Sequence, residues 1–206
     1  MLPCVVFHPK NPESREPFNA AKQINELAAL VSSALTGGAP AVVVLCGAGQ
    51  PLLSARAQLR TLHQALHPTA TRLAARISRS ATDGLAAWAA STAGPVGVDV
   101  QSHVSVLDNA LLDVALHPRE VPWLAKQLNR EIAFTRLWAG KEAVLKAFGV
   151  GLAWSPREVD AAPSTRQWRD LNVPALGNVW LSHLEPPATL GVALAVALNA
   201  GHIAAV

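Results

Sequence analysis

Charge is scarce in this chain. Only 15% of its 206 residues are Asp, Glu, Lys or Arg, while 50% are hydrophobic. A chain so poor in charge and so rich in apolar residues can bury a large core, which argues against intrinsic disorder. Long apolar runs are also missing. None reaches the roughly 20 residues that a membrane-spanning helix needs, so no membrane is expected as a partner. No dense Lys/Arg run interleaved with aromatics suggests a nucleic-acid surface. Cysteine is limited to Cys4 and Cys46, each inside an apolar stretch. Both read as small buried hydrophobes rather than as a disulfide framework or a metal site. The N-terminus shows no charged region followed by an apolar one, so no secretory signal is expected and a reducing cytoplasm is the default location. The net charge of +3 is mildly basic and suits a partner carrying phosphate or carboxylate.

What is present is a regular succession of strand and helix patterns. Short apolar runs predict strands within 1–10 and over 41–46, 85–91 and 96–100, with 71–80 extended. Ala, Ile and Leu at helical spacing predict helices over 19–35 and 54–67, the second carrying Arg56 and Arg60 on one face. Further helices are expected over 107–116 and 119–128. The longest runs from about 129 to 148 and stops at Gly149 and Gly151. Residues 178–184 and 188–198 read as a closing antiparallel pair. The segment Gly84 to Ala89 echoes Gly191 to Val196 in its small apolar residues. The expected fold is therefore α+β, with two similar α/β halves, 1–95 and 96–206, packed as a pseudo-dimer.

Two motifs carry chemistry. In Val96-Gly97-Val98-Asp99-Val100-Gln101 one acid interrupts an apolar strand. Alternation puts Gly97, Asp99 and Gln101 on one face. A carboxylate held there can bind a magnesium ion, with the Gln101 carbonyl oxygen beside it and Gly97 giving room for a ligand. Taken alone, an Asp at the end of a strand is more often a cap or turn residue. In Trp138-Ala139-Gly140-Lys141-Glu142-Ala143-Val144-Leu145-Lys146 the residues Trp138, Glu142 and Lys146 fall four apart on one helix face. Taken alone this is an ordinary Glu–Lys pair.

Taken in order, a glycine-hydrophobic-Asp strand and, about 40 residues later, a Trp-x-x-Lys-Glu-Ala-x-x-Lys helix resemble the 4′-phosphopantetheinyl transferase superfamily. The continuation Lys146-Ala147-Phe148-Gly149 is similar as well. Chain length and tandem halves resemble its Sfp-type, monomeric branch. The resemblance implies transfer of phosphopantetheine from coenzyme A to a serine of an apo acyl or peptidyl carrier protein, with release of 3′,5′-ADP. Magnesium would be held by Asp99, Glu142 and Gln101. Glu142 would be the general base, Asp99 part of the catalytic group, and Lys146 the residue at the leaving phosphate, with Lys141 adding positive field. Arg56, Arg60, Ser78, Arg79 and Ser80 would contact coenzyme A. The half 1–95 would contribute cofactor binding and 96–206 the metal and catalytic motifs.

The sequence departs from that pattern in places. Gln101 stands where the branch usually has Glu, which removes one negative charge from a metal site. Ala139 stands where Ser, Thr or Cys is usual, and Arg79 where a histidine is. These changes keep open a second reading, a weak or inactive member that binds a carrier protein or coenzyme A. The arginines have a bland alternative too, as solvated surface charges.

Overall fold

A computed structural model of the chain describes residues 4–9, 41–48, 76–83, 85–91, 94–186, 188 and 191–199. The helices expected over 19–35 and 54–67, with Arg56 and Arg60, lie outside the described residues. Eight strands and three α-helices occur in the order β1 (Cys4–Pro9), β2 (Ala41–Ala48), β3 (Arg76–Thr82), β4 (Leu85–Ser91), β5 (Val96–Ser102), α1 (Asn109–Ala115), α2 (Glu120–Ala125), α3 (Arg130–Phe148), β6 (Arg169–Val173), β7 (Gly177–Leu184) and β8 (Val192–Asn199) among the described residues. The architecture is mixed α+β. One sheet has the order β1-β2-β4-β3 and the other β5-β8-β7-β6. Every pairing is antiparallel except β1 with β2.

Helix boundaries follow from local chemistry. Asp108 caps α1 by accepting the N–H of Ala110. The pattern expected to be helical over 119–128 stops earlier, at Ala125. There the N–H groups of Lys126 and Gln127 turn back to Trp123 and Leu124 in tighter bonds. Asn129 then accepts the N–H of Ile132 and starts α3. Gly149, at φ 73°, ends α3 in the left-handed region, and the N–H of Val150 returns to Leu145 at 3.1 Å. The strand β6 was not expected. Its signal was short, with only Leu171 and Val173 turned inward between the exposed Asp170 and Asn172.

The second sheet has two unlike faces. Val96, Val98 and Val100 of β5, with Leu194, Val196 and Leu198 of β8, form one core with Val44, Ala87 and Ala89 of the first sheet. Each such buried Val or Leu contributes roughly 1.5–3 kcal/mol. On the other face Ala193, Ala195 and Ala197 meet Ala139, Ala143 and Ala147 of α3. Small residues on both sides let the helix lie close to the sheet. Gly97 takes this to the limit, because a Cβ there would sit 1.9 Å from the carbonyl oxygen of Ala143. The expectation that Gly97 clears space for a ligand is corrected: it clears space for α3.

The sheets also meet edge to edge. β3 and β5 are the neighbouring edges, joined by hydroxyl side chains at alternate positions of β3. Ser78 Oγ accepts the N–H of Val98 at 3.0 Å. Thr82 Oγ1 accepts the N–H of Ser102 at 3.3 Å and bonds Ser102 Oγ at 2.8 Å. Counted outward from this seam, β4 and β8, which carry the echoing segments, are each the second strand. The outer pairings differ, since β1 runs parallel to β2.

Candidate active site

From Ala139 to Ala147 the helix α3 is buried except at Glu142 and Lys146. With the half-buried Trp138 these form the single stripe of this stretch that reaches solvent. The Trp138 ring stacks on Phe134 with centroids 6.3 Å apart. The close packing at Gly97 presses that stripe against β5, where Asp99 is 1% exposed.

Asp99 is thoroughly engaged. Its Oδ1 accepts from Lys146 Nζ at 2.5 Å and from Ser80 Oγ at 2.6 Å. Its Oδ2 accepts from Gln101 Nε2 at 2.9 Å. Lys146 Nζ also donates to the carbonyl oxygen of Val98 at 3.3 Å. Glu142 stands in the same field. Burial first, then the Asp99 charge, pushes its carboxyl above the ordinary glutamate range, and Lys146 pulls the other way. The structure thus brings Asp99, Gln101, Glu142 and Lys146 into one cluster, spanning a strand and a helix far apart in sequence.

Other expected site residues lie elsewhere or do something else. Lys141, expected to add positive field at the cofactor, is buried in an ion pair with Glu120 Oε2 at 2.7 Å. Its Nζ also donates to the carbonyl oxygens of Pro156, at 3.1 Å, and Val159. Desolvation lowers its pKa, and Glu120 opposes that shift. Glu120 in turn accepts the N–H groups of His117 at 2.8 Å and Ala161 at 2.7 Å. The pair ties α3 to the chain around 117 and 156–161. Nothing in local spacing foretold Glu120, which lies 21 positions before its lysine. Ala139, expected as a missing hydroxyl near the site, is fully buried in the core.

Ser78 and Ser80, expected on cofactor phosphate, have their hydroxyls on β5. Arg79 points the opposite way along β3. Its guanidinium lies over the Trp88 ring, 5.1 Å from the centroid, with Nε buried and without a hydrogen-bond partner. Burial lowers the Arg79 pKa.

The chemistry of the donor set decides what the cluster can hold. Among the described residues no group of three or more His, Cys, Asp and Glu side chains is arranged as a metal site. Magnesium, however, is commonly held by one or two carboxylates, with substrate phosphates and water completing its shell. A carboxylate offers about four lone-pair positions. Ser80, Lys146 and Gln101 use three at Asp99, which leaves one on Oδ2. Asp99 Oδ2 and Glu142 fit such an ion.

Residues 95–196 match the family model of the 4′-phosphopantetheinyl transferase superfamily. That span holds Asp99, Gln101, Glu142 and Lys146. No curated protein matches the chain. Among the described residues no helix is long and apolar enough to cross a membrane.

Proposed function

We propose that the protein transfers the 4′-phosphopantetheine group of coenzyme A to a serine hydroxyl of an apo acyl or peptidyl carrier protein. The serine oxygen bonds to the β-phosphorus, the bond to the bridging oxygen breaks, and 3′,5′-ADP leaves. The observation that carries this reading is Glu142, a half-buried acid of raised pKa, set beside Asp99 and Lys146 within the span that matches the superfamily model. A desolvated carboxylate is a stronger base, so Glu142 takes the serine proton. Lys146, on the same stripe, neutralises and protonates the leaving phosphate. Asp99 holds Lys146 in place. A magnesium ion held by Asp99 Oδ2 and Glu142, with Gln101 nearby, would neutralise pyrophosphate charge. Arg79, with Arg56 or Arg60, would bind a nucleotide phosphate from the first sheet.

The two sheets support a division into a cofactor-binding half, 1–95, and a catalytic half, 96–206. The matching place of β4 and β8 beside the seam supports a pseudo-dimer of the Sfp-type, monomeric branch. Substrates of this kind suit a cytoplasmic enzyme. The test is to incubate the protein with apo carrier protein, coenzyme A and magnesium and to weigh the carrier. A gain of one phosphopantetheine is expected, and no gain with any carrier would refute the reading.

One observation favours a second reading. Asp99 is nearly saturated by Ser80, Lys146 and Gln101. A non-catalytic module that binds coenzyme A or a carrier protein would look like this. Calorimetry separates the two, because a module would bind coenzyme A independently of magnesium.

A further inference from the structure

Ser80 is 8% exposed, and its Oγ lies 2.6 Å from Asp99 Oδ1. The neighbouring seam hydroxyls, Ser78 and Thr82, bond to backbone N–H groups of β5 and to Ser102. Ser80 instead ends on the carboxylate of the reaction cluster. A serine has one O–H to donate. Given to Asp99, it is not available to a cofactor phosphate.

A carboxylate turns easily about its last torsion, whose energy profile is broad. Two donors on one oxygen pin it. At Asp99 these are Ser80 and the Lys146 ammonium, both on Oδ1. Oδ2 then keeps the one open lone pair of the group. Sharing Oδ1 between two donors also weakens the hold of Asp99 on Lys146, the cation needed at the leaving phosphate. We propose that Ser80 is a positioning residue of the transfer reaction, supplied by the first sheet across the β3–β5 seam, which orients the Asp99 carboxylate. The proposal rests on the transferase reading for its kinetic consequence, but not for its geometry.

Groups that orient the carboxylates of metal-assisted sites typically change activity or metal affinity roughly 10–100-fold when removed. Ser80→Ala is therefore expected to lower kcat by about that factor, with KM for coenzyme A little changed. Ser80→Thr, which keeps the hydroxyl, restores the rate. Thr82→Val removes a seam contact that does not touch Asp99, so it lowers Tm without lowering kcat. A second arm needs no turnover: manganese(II) alone is titrated and its free signal followed by electron paramagnetic resonance. Ser80→Ala weakens that binding roughly 10–100-fold. If Ser80→Ala folds poorly, Ser80→Cys, similar in size and a weak donor, shows the same direction in both arms. An increase in the coenzyme A KM at unchanged kcat would put Ser80 on the cofactor and overturn the proposal. So would manganese binding equal to that of the wild type. A wild-type protein that modifies no carrier overturns the transferase reading instead, and the manganese arm still decides the role of Ser80.

Discussion

At Asp99 one residue gathers a lysine from a helix, a serine from the other sheet and an amide from its own strand. Such a buried carboxylate is stable only while its donors stay in place. Glu142 differs, since its raised pKa marks an acid that the fold tolerates rather than uses for stability. Glu142→Gln should therefore remove the proposed base at little cost in stability. The expected loss in kcat is about 10²–10⁴-fold with Tm nearly unchanged, and retained transfer would take the base role from Glu142. Gln101→Glu acts on the same balance with opposite signs in two conditions. It deletes the donor to Oδ2 and sets a second negative charge beside Asp99. Tm should fall without divalent cations and recover with magnesium. Differential scanning fluorimetry with and without magnesium checks this, and a magnesium-induced shift no larger than that of the wild type would contradict it.

At the scale of elements, the site exists because α3 lies almost in contact with β5. Gly97→Ala places a methyl group against the backbone of Ala143 and Ala147, neither of which can turn aside as a flexible side chain could. Overpacking typically costs about 1–3 kcal/mol, and a backbone contact this close belongs at or above the top of that range. Urea unfolding should show it, together with a loss of transfer out of proportion to the fraction unfolded, because Lys146 and Glu142 shift away from Asp99. The other anchor of α3 is the Lys141–Glu120 pair. Lys141→Met leaves Glu120 buried without its cation, a change that costs about 3–5 kcal/mol in comparable pairs. The two backbone N–H groups on Glu120 place the expected loss at the lower end. A Lys141→Met protein of wild-type stability would show that the pair contributes nothing to the fold.

For the whole molecule, the long helix and the strands other than the short β6 were legible because their periodicity, and the helix's start at Asn129 and stop at Gly149, are local. So was the pairing of Asp99 with the Glu142 face, through the resemblance of two motifs in order. Three things were not legible. The roles of Ser80 and Glu120 depend on partners 19 and 21 positions away, which no local spacing encodes. Gly97 reads the same whether it admits a ligand or a helix. Nothing in the spacing around His183 marks its surroundings, yet it is partly buried against Gly140 and Ala161, with Nε2 2.9 Å from the Ala161 carbonyl oxygen. That last residue sets a pH limit on the whole fold. Desolvation, helped by the nearby Arg136 and Arg169 charges and opposed by the Ala161 bond, lowers its pKa from 6.5 to about 4. The unfolded chain therefore binds a proton that the folded chain refuses between these values. Stability from this group is complete above pH 6.5 and is lost as pH falls toward 4, by on the order of 3 kcal/mol in total. Glu142, with its raised pKa, acts in the opposite direction over part of the same window and reduces the net slope. Chemical unfolding followed between pH 4 and 7.5 should show the decline in the wild type. In His183→Gln, whose amide can still donate to Ala161 but does not titrate, the decline should largely vanish. An equal pH slope in both proteins would remove His183 as its source.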